Sequence, residues 1–222
     1  QYEMADVTHT GYMDFYLWPK YGPNGYLWMI PKCNGRANIG LVTDDKSKAK
    51  IYLDEFVKVE GFEGKKIAKT FGGLIPCSGA MEKTYDEGLL LVGDAAGFTS
   101  PLFEGGTALS LMSGKFAAEV AAEAVAKNDF SKEFLSRYEK LWKPEFPDYS
   151  KILKGRDRLY DFSDSELNEM SAVMPKELGK LNIIDKIFVA LKLLLGKSHL
   201  LKKGVISAFS AFKYSRAKFY GW

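Results

Sequence analysis

The sequence predicts an α+β protein with a β-rich first part, one strand–loop–helix unit in the middle and a helical remainder. Three observations carry this expectation. Aromatic and apolar runs separated by turn residues fill positions 12–42. A glycine-bounded apolar run at 88–92 leads through Gly93-Asp94 into a stripe of helical period. Beyond Asn128 the pattern is helical, with breaks at Pro144, Pro147, Pro175 and Gly196. The corresponding boundaries are 1–86, 87–128 and 129–222.

In the first segment, Asp14-Phe-Tyr-Leu-Trp18 reads as a strand, and Pro19 to Gly25 supplies turn residues. Tyr26-Leu-Trp-Met-Ile30 and Ala37 to Val42 are two more strands, joined by a tight turn with Asn34-Gly35 at its centre. Their large aromatic side chains suit the wall of an apolar cavity. Ser47 to Glu60 reads as a helix carrying Ile51, Phe56 and Val59. Ile67 to Ile75 is extended again, interrupted by Gly72-Gly73.

The run Leu89-Leu-Leu-Val92 fits a strand buried on both faces, although periodicity alone does not exclude a helix. From Gly105 a helix is expected to run to Lys127, with the stripe Ala108, Met112, Phe116, Val120, Ala124. Gly114, Ala117, Ala118 and Ala121 keep it slim enough to lie close on a sheet. Further on, the stripe from Ile183 to Leu195 is expected to pack on the sheet domain. The segment Leu200 to Tyr220, with Phe209, Phe212 and Phe219 among four lysines and Arg216, is expected to meet anionic membranes, the alternative being that these three phenylalanines are buried in the helical core.

An apolar content of 46% with 27% charged residues excludes a disordered or coiled-coil chain. The longest apolar stretch is interrupted by Asp185, Lys186 and Lys192 and is shorter than the ~20 residues of a membrane span. Two cysteines exclude a disulfide framework, and two histidines, His9 and His199, supply metal chemistry poorly. No signal peptide opens the chain, so a reducing cytoplasm is expected. The net charge of +3 is unevenly spread. From Lys176 onward ten Lys and Arg face two Asp and Glu, leaving −5 for the residues before. Such a basic end attracts anionic surfaces, and with no nucleic-acid motif beside it a lipid surface is favoured over nucleic acid. The chain opens on Gln1 in strand-like sequence, as expected of a piece of a longer protein.

The chemistry lies in Leu89-Leu-Leu-Val-Gly-Asp-Ala-Ala-Gly97, with Pro101 and the glycines at 105 and 106. A strand ending in glycine lets a ligand approach the backbone. An aspartate at the carboxyl end of a strand accepts hydrogen bonds from sugar or polyol hydroxyls. A glycine-led helix start offers free N–H groups and a positive dipole end to an anion. The alternative is a tight loop in which Asp94 only caps a turn.

This stretch resembles the second flavin-contacting motif of the FAD-dependent geranylgeranyl reductase family, within the para-hydroxybenzoate-hydroxylase-like flavoproteins. Gly93-Asp94, Pro101, Gly106 and Ser113-Gly114 carry the match. Upstream, Tyr26-Leu-Trp28-Met-Ile-Pro31-Lys32, then Gly35 and Asn38-Ile39-Gly40, resemble the family's Y-x-W-x-F-P-K signature. Gly72-Gly73-Leu-Ile-Pro76 resembles its strand before the flavin loop. Two departures stand out: Ile30 replaces phenylalanine, and Glu104-Gly105-Gly106 stands where Gly-Glu-Gly is common. No G-x-G-x-x-G occurs, the motif that holds the ADP half of FAD in this family. The resemblance therefore implies the C-terminal half of a reductase. Residues 1–86 would be a substrate-binding sheet segment, 87–128 the last strand–loop–helix unit of a Rossmann-like FAD domain, and 129–222 a helical region. The missing motif is expected to lie in an N-terminal half of the same protein, without which the fragment is inactive.

The resemblance further implies FAD as cofactor and an isoprenoid lipid as substrate. Gly93, Asp94, Pro101, Gly105, Gly106 and Thr107 would hold the cofactor, while Tyr26, Trp28 and Pro31 would line the isoprenoid channel, the alternative for the two aromatics being ordinary core packing. The reaction would reduce geranylgeranyl double bonds in lipid or prenyl precursors, with no residue assigned to donate the proton. Cys33 and Cys77 are a candidate redox pair, against the favoured alternative of two small buried residues. The expected location is cytoplasmic, peripheral on the inner face of the membrane. Two rival readings remain: an electron-transfer-flavoprotein dehydrogenase-like quinone reductase, and a non-enzymatic lipid-binding module. An aromatic hydroxylase or halogenase is disfavoured by the Tyr26–Lys32 match.

Overall fold

The computed structural model describes residues 1–9, 11–174 and 183–214, without the side chains of residues 185, 186, 210, 213 and 214. Strands β1 (Tyr2–Ala5), β2 (Asp14–Tyr16), β3 (Tyr26–Lys32) and β4 (Arg36–Val42) lead into helix α1 (Ala49–Val59) and strand β5 (Ile67–Thr70). The two-residue strands β6 (Tyr85–Asp86) and β7 (Leu89–Leu90) precede a 3-10 turn at Gly93–Ala96 and the long helix α2 (Thr107–Lys127). Then come α3 (Lys132–Leu135), α4 (Arg137–Trp142), α5 (Tyr149–Tyr160), α6 (Asp164–Val173), α7 (Ile183–Gly196), α8 (Ser198–Lys203) and α9 (Val205–Tyr214). These elements fall into two compact units: Gln1–Gly73 with Tyr160–Gly204, and Leu74–Leu159 with the chain from Val205 onward. The helical remainder is thus shared between two units instead of standing apart.

The first unit is built on a five-stranded antiparallel sheet in the order β2-β3-β4-β1-β5. Its hairpin β3–β4 turns at Cys33–Gly35, where Asn34 (φ 61) and Gly35 (φ 64) both take the left-handed conformation that Asn-Gly tolerates. Strand alternation sorts the side chains. Tyr2, Met4, Leu27, Met29, Ala37 and Ile39 face one way and form the core with Leu53, Phe56 and Val57 of α1. Helix α6 opens with a complete capping box, Ser163 with Glu166. Its acidic residues hold α8: Lys203 Nζ lies 2.5 Å from Glu166, and Nζ of Lys197, the N-cap of α8, 2.9 Å from Glu169.

In the second unit, α2 packs on α4, α3 and the 3-10 turn. Its buried side chains are Leu109, Ser113, Val120 and Ala124, so the first half of the stripe runs one residue later than the spacing suggested. Ala118 and Ala121 are exposed and nothing lies within 4 Å of a Cβ placed on Gly114. The slim face of α2 is open among the described residues and does not lie on a sheet. Below α2, Thr84 is wholly buried and accepts from Trp142 Nε1 at 2.9 Å, while its own N–H reaches Glu139 at 2.9 Å.

Two expectations are corrected. The run at 88–92 is not a strand buried on both faces. Residues 89–90 pair with β6 in a two-stranded ribbon, and Leu89 and Val92 are exposed, because no further described strand flanks them. The stripe on α7 does not pack on the sheet: of its large apolar side chains Leu193 is buried, and Ile183, Ile184, Ile187, Phe188, Leu191, Leu194 and Leu195 are exposed. In the segment from Leu200, where membrane contact or burial in the helical core was expected, Ile206 is exposed but most of the described apolar side chains are packed. Leu200, Val205, Ala208 and Ala211 are buried, and α9 comes so close to α5 that a Cβ on Gly155 would meet Ala211 Cβ at 2.7 Å. The Phe212 ring lies 5.6 Å from that of Phe103, tilted by 55°. Phe219 and Pro175 lie outside the described residues.

Candidate functional site

Two constellations hold the candidate residues, one in each unit. In the first unit, the sheet face away from α1 carries Phe15, Tyr26, Trp28 and Ile30, because these positions alternate with the core positions of their strands. The rings of Phe15 and Tyr26 lie 5.8 Å apart, and those of Tyr26 and Trp28 5.6 Å. Trp28 lies flat over Gly40, its directly opposed residue in β4. A Cβ there would sit 2.4 Å from the indole Cζ2, and the indole N–H donates to Gln1 Oε1 at 3.1 Å. Tyr26 is buried and Trp28 half-buried. Pro31 follows Leu27 and Met29 onto the α1 side, so the structure joins Tyr26 with Trp28 but not with Pro31.

The aromatic row leads along the same face into a polar end. Asn38 Oδ1 is buried there without a hydrogen-bond partner. Beside it, in register, the Glu3 carboxylate is 3% exposed and receives Lys32 Nζ and Arg36 Nη1, each at 2.8 Å. The hydrogen bond from Lys32 holds the Glu3 carboxyl below the usual range, against desolvation. Phe15 and this charged end were not singled out in the sequence. The strand alternation of Phe15 with Asp14 and Tyr16 was the signal that could have found the former.

In the second unit, Gly93 (φ 54) starts the 3-10 turn, and its N–H donates to the buried Ser113 Oγ of α2 at 3.1 Å. This explains the small Ser113-Gly114 pair within the helix. Asp94 is exposed, and the turn closes at Gly97 (φ 73). The loop that follows is pinned by the wholly buried Ser100, whose Oγ accepts from Leu102 and Phe103 and whose N–H donates to the Gly105 carbonyl at 2.7 Å. Glu104 sits in the left-handed region at φ 49. It stands where the resembled family commonly has glycine, the residue that this conformation favours. Helix α2 then begins from Gly106 with no side chain capping it. Pro101 is buried, Gly105 and Gly106 are partly buried, and Thr107 is exposed at the helix start.

The hydroxyl of Tyr138 donates to the Leu91 carbonyl at 2.9 Å, and burial pushes its pKa up to about 12, so it stays a neutral strut beneath the motif. Arg156 was missed in the sequence, where no spacing marks it. From α5 its guanidinium reaches the Cys77 carbonyl at 2.7 Å and the Pro101 carbonyl at 3.4 Å, tying both loops beside the motif. Cys33 and Cys77 are free thiols, and both are exposed. That corrects the favoured expectation of two buried residues, since each lies in a loop with its backbone on the surface.

Against known proteins, residues 1–75 match the family model described as the geranylgeranyl reductase catalytic domain. The digeranylgeranylglycerophospholipid reductase of Methanocaldococcus jannaschii is 40% identical over 192 residues, covering 82% of this chain and 49% of that protein. Digeranylgeranylglycerophospholipid reductase 2 of Methanothermobacter thermautotrophicus is 40% identical over 176 residues, covering 77% and 45%. The chain belongs to the geranylgeranyl reductase family. A geranylgeranyl bacteriochlorophyll reductase-like protein from Thermoplasma acidophilum has a similar structure. The TM-score is 0.76 at 28% identity, over 93% of this chain and 53% of that one. The chain spans about half the length of the curated relatives it matches. In this geranylgeranyl reductase chain the catalytic-domain match covers the strands that carry Trp28 and the Glu3 cluster.

Proposed function

We propose that this chain is part of a flavin-dependent reductase that saturates geranylgeranyl double bonds on a glycerophospholipid or prenyl precursor. The observation that carries the reading is the aromatic row on the sheet face away from α1, with Trp28 seated on Gly40. An isoprenoid chain is a flexible apolar ligand, and a wall of edge-tilted rings gives it large contact area at low entropic cost. The names of the relatives supply the substrate class.

The residues of the second unit fit the polyol and anion part of a flavin nucleotide. An exposed carboxylate, Asp94, follows the strand, and a glycine-led helix without a side-chain cap begins close behind it. In this reading Asp94 accepts hydrogen bonds from the cofactor's hydroxyls. The α2 start, at Gly105, Gly106 and Thr107, presents N–H groups to negative charge. When bound, flavin supplies the hydride that adds to one alkene carbon, while a proton completes the other. Tyr26, Trp28 and Phe15 hold the chain and exclude water. Trp28 is fixed at both ends, by Gly40 beneath and Gln1 at its N–H, so it sets how far the chain can enter. In this reading, access to a lipid-borne substrate calls for peripheral contact with a membrane. Among the described residues no helix is long and apolar enough to cross one.

Two substitutions in the full-length enzyme test the reading together. Asp94→Ala removes a charged hydrogen bond worth about 1.5–3 kcal/mol, so flavin retention on dialysis should fall roughly ten- to a hundredfold with the fold intact. Trp28→Ala should slow alkene reduction or change how many bonds are saturated, with flavin content unchanged. Full flavin retention in the first variant, or an unchanged product pattern and rate in the second, defeats the assignment of that residue.

A further inference from the structure

We propose that the apolar face of α7 docks this protein flat on the surface of an anionic lipid bilayer. Seven large apolar side chains of this 14-residue helix, Ile183, Ile184, Ile187, Phe188, Leu191, Leu194 and Leu195, are each between 46% and 87% exposed. At about 100° per residue they fall within an arc of about 140°. Leu193, 3% exposed, falls on the opposite side, where α7 rests on α6 and α8. A face this apolar and this open on a soluble fold marks an interaction surface.

Charge selects the occupant. Residues 183–203 hold five lysines against one aspartate. Lys192 and Lys202 are exposed, with Lys192 at the border of the apolar arc. Lys197 and Lys203 are paired with Glu169 and Glu166, so among the described side chains the net positive charge of the rim rests on Lys192 and Lys202. A second copy would bring the same basic rim against this one, so two α7 faces repel where two apolar stripes attract. An anionic bilayer satisfies both features. The side chains enter the acyl boundary and the ammonium groups stay at the headgroups. The helix is about 21 Å long, too short to span the ~30 Å hydrocarbon core, so it lies in the interface. The choice of a lipid surface is in keeping with the proposed lipid substrate but does not depend on it.

The test is co-sedimentation of the full-length protein with vesicles of phosphatidylglycerol and phosphatidylcholine, compared with phosphatidylcholine alone, at low and high salt. The triple variant Ile184→Ser, Phe188→Ser, Leu195→Ser replaces exposed side chains, and an unchanged circular dichroism spectrum checks that it folds. We expect binding to anionic vesicles that weakens with salt. The triple variant should bind at least tenfold more weakly, and Lys192→Gln and Lys202→Gln should each cost about fivefold. Three outcomes overturn the proposal: no binding to anionic vesicles at low salt, equal binding to neutral ones, or full binding by the triple variant. A dimer in sedimentation velocity that the triple substitution abolishes, without vesicle binding, overturns it in favour of a second copy. The vesicles contain no isoprenoid, so failure here leaves the reductase reading standing, and the converse holds.

Discussion

Trp28 and Gly40 are opposed across the β3–β4 ladder, and the indole occupies the space where any other residue at 40 would put its Cβ. The pair is a single device: a large ring lies flat against a strand because its neighbour has no side chain. Gly40→Ala therefore acts on Trp28. A Cβ 2.4 Å from the ring must push it off the sheet and away from Gln1 Oε1. We expect a loss of about 1–3 kcal/mol, of the size found for overpacking. The Trp28 indole N–H resonance should shift and its exchange with water should quicken. An alanine variant as stable as the parent, with that resonance in place, would show that the ring is not seated on Gly40.

Two glycines near α2 should respond in opposite directions. Gly97 takes φ 73, and a Cβ there would lie 2.4 Å from the Gly79 carbonyl oxygen. Backbone cannot give way as a side-chain tip can, so Gly97→Ala should destabilise by roughly 2–4 kcal/mol. Gly114 is inside a helix with nothing within 4 Å of the added carbon. Gly114→Ala should stabilise by about 0.5–1 kcal/mol from helix propensity alone. Urea denaturation of both variants measures the pair. Destabilisation by Gly114→Ala in the full-length protein would mean that the slim face of α2 is covered there.

The β3–β4 hairpin was legible because each level of the pattern agreed: alternating large residues, an Asn-Gly turn, and glycine where a ring must lie. The Gly93-Asp94 turn was legible as a motif, but not its fastening. Ser113 is twenty residues away from Gly93, and Arg156 reaches Cys77 across seventy-nine. No local pattern encodes such partners. The packing of the two C-terminal segments was not legible for a definite reason. Amphipathicity marks α7 as having an apolar face without saying what covers it. Segment α9 looked thin in aliphatics because it packs by smallness, with Ala208 and Ala211 buried and Gly155 opposite. The Leu89–Val92 run misled similarly, since burial on both faces depends on flanking strands that the run does not specify.

The α6–α8 contact should show a defined acid sensitivity. The Lys203 hydrogen bond, with the Ser163 backbone N–H, lowers the Glu166 pKa from 4.5 to about 2. A depressed carboxyl contributes stability that is full above its unfolded pKa and fades as pH falls through the folded one. The window is therefore pH 4.5 down to about 2. Because the pair is near the surface, screening limits its contribution to about 1 kcal/mol. Glu166→Gln should cost that much at pH 7, and the difference from the parent should shrink towards zero near pH 2. A difference that stays constant across this range would exclude an ionised Glu166 as its source.

Arg156 is expected to act as a brace for the loops beside the Gly93-Asp94 turn. Its side chain is 20% exposed, and the guanidinium reaches the carbonyls of Cys77 and Pro101, the first in the opening loop of the second unit and the second between that turn and α2. Arg156→Ala leaves two carbonyls without their charged donor, a loss of about 1.5–3 kcal/mol. The effect should be local as well as global, with faster amide exchange at residues 77–79 and 101–104 than in the parent. Arg156→Lys keeps the charge but replaces a planar fork by one compact ammonium, which cannot serve both carbonyls from one position. It should recover less than half of the lost stability and leave one loop exchanging fast. Full recovery by lysine would mean that charge alone matters. An alanine variant with parental exchange in both loops would mean that the brace bears no strain, and that Ser100 with its turn holds the loop unaided.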